Sequence, residues 1–164
     1  MSEREQEAIK TVKNYMWVSA GAGMIPVPWA DLAAVAAVQM KLLAALSKIY
    51  GIPFKASVGK SAIASMVGFV LPHAISFGAV GCLLKFIPVV GALPGAAWQG
   101  IFCSAYTWAI GNVFIQHFES GGTFLDFNSE KVKEYFKAQF EEGRKMATAM
   151  DKEEKAAVPV NSLV

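Results

Sequence analysis

Ionisable side chains are nearly missing from the middle of this chain, and that gap constrains the fold more than any other feature. Residues 15–118 hold one acid, Asp31, and five lysines, Lys41, Lys48, Lys55, Lys60 and Lys85. Residues 1–14 hold three acids and three bases, and residues 119–164 nine acids and seven bases. Inside the block, Ser61–Leu84 is 24 residues without a formal charge and Phe86–Phe118 is 33. A membrane-crossing helix needs about 20 predominantly apolar residues, so both runs are long enough. Each also carries polar or helix-interrupting residues: Gly68, Pro72, His73, Ser76, Gly78 and Gly81 in the first, Gln99, Gly100, Ser104, Asn112 and Gln116 in the second. The pattern points to membrane association, with a hairpin buried in an oligomeric soluble protein as the alternative.

Composition removes several classes. With 54% hydrophobic and 17% charged residues, the chain has the apolar surface that disordered sequences lack. A net charge of +2 argues against a nucleic-acid module, which carries a domain-wide basic excess. Two cysteines, Cys82 and Cys103, are too few for a disulfide scaffold and do not have a metal-finger spacing. The polar first 14 residues lack the apolar core of a secretory leader, so the chain is expected to begin in the cytoplasm.

The periodicity predicts an all-α chain of five helices. The first spans about 3–22 and ends at Gly21 and Gly23. Pro26 and Pro28 interrupt the chain before a second helix, about 29–50, that stops at Gly51. A third runs over about 57–85 with a kink at Pro72, a Pro/Gly turn follows at 86–95, and a fourth covers about 96–118. The last, about 129–150 and capped by Asn128 or Ser129, is amphipathic, with Val132, Tyr135, Phe136, Gln139, Phe140 and Met146 near one face. The expected architecture is two helical hairpins with apolar Pro/Gly tips plus a C-terminal amphipathic helix, membrane-associated. Its division is a hairpin domain over 1–122, a docking helix over 123–150 and a flexible tail over 151–164.

The tips read Ile25-Pro26-Val27-Pro28-Trp29 and Ile87-Pro88-Val89-Val90. Surface turns ordinarily carry Asn, Asp, Ser and charge, so tips this apolar are expected to insert into membrane lipid or a partner's core. Small residues at helical spacing, Ser61, Ala64, Ser65, Gly68 and Gly78 on the third helix and Ala96, Gly100 and Ser104 on the fourth, are candidates for close helix packing and homo-oligomerisation. Lysines ahead of the third helix and charges after the fourth place both flanks, and both termini, on the cytoplasmic side of the cytoplasmic membrane if the two helices span. Lys85 would then have to snorkel, or the hairpin be re-entrant.

Little in the sequence points to catalytic chemistry. Gly59-Lys60-Ser61 resembles the end of a phosphate-binding loop, but the glycine five residues earlier is replaced by Phe54. His73 and His117 lie on different expected helices, and the block offers Asp31 as its only carboxylate, so paired acid–base groups are missing. His73, Asn112, Gln116 and His117 could line a polar path if several copies form a pore. No catalytic residue, cofactor, metal or nucleic-acid partner is expected.

Ile25-Pro26-Val27-Pro28-Trp29-Ala30-Asp31 leading to Ile49-Tyr50-Gly51 resembles the bacterial YcjF-type domain of unknown function. Ile87-Pro88-Val89-Val90-Gly91, Thr107-Trp108-Ala109-Ile110-Gly111 and Phe118-Glu119-Ser120-Gly121-Gly122-Thr123 extend the resemblance over about residues 10–145. It implies a membrane-associated domain, in many members preceded by a small-GTPase domain; this chain would be a stand-alone version. The expected role is a non-enzymatic scaffold that self-associates, anchors or shapes membrane, or recruits a GTPase-like partner. The alternatives are an oligomeric pore and a soluble helical adaptor that buries its hairpins in a partner.

Overall fold

Ser2 and Glu5 start the first helix together. The Ser2 hydroxyl accepts from the Glu5 amide at 3.1 Å and the Glu5 carboxylate accepts from the Ser2 amide at 3.3 Å, a reciprocal capping box. The structure is a computed structural model that describes the backbone of residues 1–23, 30–69 and 92–157, and the side chains of residues 1–21, 34–69 and 100–153. Helix α1 spans Glu3–Gly23 and α2 spans Ala30–Tyr50. Helix α3 is described over 56–69; its expected course past Pro72 lies outside the described residues. Helix α4 spans Ala92–Glu119 and α5 spans Ser129–Ala157. The described residues contain no strand, as expected of an all-α chain.

Two boundaries differ from expectation. Helix α4 begins at Ala92, four residues before the expected start, because Pro94 falls in the first turn, where its missing N–H would have had no partner. Helix α5 runs on to Ala157, since after Asp151 the segment is built from Lys, Glu and Ala, all strong helix formers. Its cap is Asn128, whose side-chain oxygen accepts from the Glu130 and Lys131 amides at 3.0 and 3.4 Å.

Helices α2 and α4 stop by the same device. Gly51 (φ 68°) and Gly121 (φ 81°) occupy the left-handed region open to glycine. The Ile52 amide reaches back to the Ser47 carbonyl at 2.8 Å and the Gly122 amide to that of His117 at 2.9 Å, so both ends close as Schellman motifs.

Helix α4 is the centre. Helices α1, α2 and α5 pack on it, and α3 meets it where the Tyr106 hydroxyl donates to the Ile63 carbonyl at 2.8 Å. Every residue from Cys103 to Ile115 is buried. A helix apolar on all sides must be enclosed, by protein or by lipid; along this stretch the chain's own helices enclose α4. That explains why the segment lacks charge, and it corrects the expected transmembrane helix there. Among the described residues no helix is long and apolar enough to cross a membrane. The charge-free run has the length, but Gln99, Asn112, Gln116 and His117 make it too polar for hydrocarbon.

Close backbone approach holds the sheath on. A Cβ at Gly111 would collide with the Val12 side chain, and one at Gly143 would meet Trp108 Cβ at 2.8 Å and the Ala105 backbone at 3.0 Å. Glycine is thus the residue that lets α1 and α5 reach α4. The turn between α4 and α5 is fixed by rings: Phe114 stacks on Phe127 at 4.7 Å, and Phe124 lies 5.4 Å from Phe114 and 5.3 Å from Phe118. Aromatic pairs at such separations add about 1 kcal/mol each beyond burial.

Candidate functional site

The bundle has two chemically distinct ends. At one, α1 begins while α2 and α4 finish. Here the Tyr50 hydroxyl donates to Glu119 Oε1 at 2.8 Å and the Arg4 guanidinium lies 5.9 Å from the Tyr50 ring centroid. Burial, then the bond to Glu119, pushes the Tyr50 phenol above its ordinary range. In the following turn, the Thr123 amide and hydroxyl both donate to Asp126 Oδ1 at 2.6 Å. The Thr123 hydroxyl bond, followed by the amide bond, holds that carboxyl below the usual carboxylate range. His117 Nε2 lies 2.8 Å from the Thr123 carbonyl and 3.8 Å from Asp126 Oδ1. This end is polar, hydrogen-bonded and water-facing.

The other end gathers Gly23 of α1, Ala30 of α2, residue 69 of α3 and Ala92 of α4, together with the last turns of α5, which runs antiparallel to α4 and carries Asp151, Lys152 and Glu153 there. Along α1 the outward stripe reads Gln6, Lys10, Lys13 and Asn14, then Trp17, Val18 and Gly21. It turns from charged to apolar toward this end. Trp17 is 48% exposed and Val18 55%. Val67, near the last described turn of α3, is also exposed. The chain between α1 and α2 continues the same chemistry with Met24-Ile25-Pro26-Val27-Pro28-Trp29.

Between the ends runs a buried polar ladder that sequence reasoning missed. The Ser104 hydroxyl donates to the Met16 carbonyl at 2.9 Å, and the Ser19 hydroxyl to the Cys103 carbonyl at 3.1 Å. Thr107 also donates to that carbonyl, at 2.8 Å, and accepts from Gln39 Nε2 at 2.7 Å. Helices α1, α4 and α2 are thereby tied in one register. Gln39 is fully buried, and its Oε1 has no partner among the described residues, an arrangement that costs stability. Gln39→Leu is expected to keep the fold and to raise stability by about 1 kcal/mol, read as a higher Tm. A loss of that size would show that Oε1 is satisfied, for instance by a buried water.

The residues singled out from the sequence scatter. The candidate tips Ile25, Pro26, Val27, Pro28, Trp29, Ile87, Pro88, Val89 and Val90 lie outside the described residues, as do His73, Gly78 and the side chain of Ala96. Gly100 and Ser104 are buried in the bundle, whereas Ser61, Ala64, Ser65 and Gly68 all face outward on α3. Asn112 is buried and donates to the Trp108 carbonyl of its own helix at 2.9 Å. Gln116 and His117 lie at the polar end, so the described members of the candidate path are not gathered around one opening. Gly59-Lys60-Ser61 sits inside α3, with Gly59 packed on Phe54, Leu43 and Met40, which leaves no loop to wrap a phosphate. Among the described residues no three His, Cys, Asp or Glu side chains converge.

The described residues thus form a bundle of five helices, with exposed Trp17, Val18 and Val67 toward one end. The chain belongs to the family described as "Domain of unknown function (DUF697)", whose model matches residues 1–145. This is the GTPase-associated domain that the Ile-Pro-x-Pro and Tyr-Gly motifs resembled. The chain is also 35% identical over 154 residues to "Magnetosome membrane protein 22" of Magnetospirillum gryphiswaldense, across 94% of this chain and 79% of that protein. No solved structure matches it.

Proposed function

We propose that this protein is a non-enzymatic membrane-associated scaffold that enters the bilayer interface with its apolar end. The observation that carries the reading is the outward stripe of α1, which changes from Lys10 and Lys13 to exposed Trp17 and Val18 as it nears that end. Tryptophan favours the membrane–water boundary, and an exposed apolar patch rimmed by polar groups marks an interaction surface. The similarity to a magnetosome membrane protein supports the same setting. The polar end, with its Tyr50–Glu119 and Thr123–Asp126 bonds, faces water, and both termini stay on the cytoplasmic side. Self-association uses the outward face of α3, where Ser61, Ala64, Ser65 and Gly68 permit close approach of a second copy. A GTPase-like protein is the partner for the polar end.

Flotation with lipid vesicles tests the reading. Purified chain is expected to rise with the vesicles in a density gradient and to stay at the bottom without them. A chain that stays at the bottom in both would overturn membrane association.

A further inference from the structure

We propose that Lys10, Lys13, Lys41 and Lys60 form a cationic collar that binds anionic phospholipid head groups when the apolar end enters the interface. The inference rests on the membrane reading above and adds the class of lipid. All four lysines are exposed, and none is ion-paired with a described residue.

They share one level on three neighbouring helices. Val12, between Lys10 and Lys13, abuts Gly111 of α4, one turn from Thr107, which bonds to Gln39, two residues before Lys41. Gly59, next to Lys60, would place a Cβ 3.6 Å from Met40 Sδ, next to Lys41. Lys13 lies one helical turn below Trp17, about 6 Å along the axis. That is close to the depth of the head-group layer on each side of the hydrocarbon.

Charge balance points to the same partner. Residues 1–69 carry seven bases, Arg4 and six lysines, against four acids, Glu3, Glu5, Glu7 and Asp31. Helix α5 has equal numbers of acids and bases and forms the pairs Lys133–Glu130, Lys137–Glu134 and Arg144–Glu141 along itself. The net positive charge thus belongs to the α1–α3 side, beside exposed Trp17, Val18 and Val67. Apolar anchor and cationic collar together are what binding to an anionic bilayer surface requires.

Affinity for phosphatidylcholine vesicles with and without phosphatidylglycerol tests the collar, in the full chain and in Lys10→Gln/Lys13→Gln/Lys41→Gln/Lys60→Gln. A lysine near an anionic surface contributes about five-fold in affinity at low salt, so phosphatidylglycerol is expected to tighten binding by about a hundred-fold or more. The quadruple variant is expected to lose that gain while keeping its binding to neutral vesicles. Lys48→Gln/Lys55→Gln, at the polar end, should retain it. Equal affinity for both vesicle types would overturn the collar and leave the apolar anchor standing. An anionic preference that survives the quadruple variant would also overturn it. Binding to neither vesicle would remove the membrane reading and the collar together, and would assign the lysines to an acidic protein partner.

Discussion

Gly143→Val should destabilise the protein by about 3 kcal/mol, enough to strip α5 from the bundle in a large fraction of molecules. The added Cβ would come within 2.8 Å of Trp108 Cβ and 3.0 Å of the Ala105 Cα and carbonyl oxygen. Two of those three atoms are backbone of the central helix and cannot rotate away. Over-packing a tight core costs about 1–3 kcal/mol, and a second methyl group and β-branching place valine at the upper end. Helix α5 supplies Phe136, Phe140 and Ala147 to the core, so the damage is expected to expose Tyr106 and Trp108, visible as a red shift in tryptophan fluorescence and a lower urea midpoint. Gly143→Ala should be milder, because helix propensity returns about 1 kcal/mol. Gly68→Ala, with nothing within 4 Å of the new Cβ, should instead stabilise the chain by about that amount. Opposite signs at two helical glycines would establish that packing against α4, and not propensity, fixes Gly143. Equal and small effects would show that α5 is held elsewhere.

The local parts of this structure were legible in the sequence because their causes are local. Two prolines, two left-handed glycines, a capping Asn128 and a charge-rich periodic helix each act within a few residues. What encloses α4 was not legible, since burial in protein and burial in lipid both remove charge from a helix. The length of the uncharged run favoured lipid. The polar content of the same run, from Gln99 to His117, was the signal for protein, and it found its use in the Thr107–Gln39 and Asn112–Trp108 bonds. Helix α5 shows a finer miss. The face named from periodicity took in Phe136 and Phe140, which are buried, with Val132, Tyr135, Gln139 and Met146, which are half-buried, but left out Gly143 and Ala147; the fully seated positions are Phe136, Phe140, Gly143 and Ala147. Their spacing of four, three and four residues was present in the sequence, but a glycine carries no hydrophobicity and so disappears from an apolar pattern. Pairings across the chain, such as Ser19 with Cys103 or Gln39 with Thr107, had no sequence signal, because a buried hydroxyl reads like an exposed one.

Trp17→Ser/Val18→Ser should weaken vesicle binding by about ten- to a hundred-fold and leave the fold intact. Both side chains are roughly half exposed in the chain alone, so each has about half its apolar area still to remove from water. Burying a whole side chain of this kind gains about 1.5–3 kcal/mol, and half of that from two residues sums to about 1.5–3 kcal/mol. Exposed substitutions seldom move stability by more than about 0.5 kcal/mol, so Tm should hold and separate lost binding from lost structure. The control is Leu125→Ser. Leu125 is 70% exposed, more than Trp17, yet it sits in the turn at the polar end beside Asp126. If exposure alone drove adsorption, Leu125→Ser would weaken binding at least as much as either substitution on α1. If the apolar end is what meets the bilayer, Leu125→Ser should bind as the parent does, and the orientation of the bundle on the membrane follows from that difference alone. Retention of full affinity by the α1 double variant would move the insertion surface away from this end and overturn the reading.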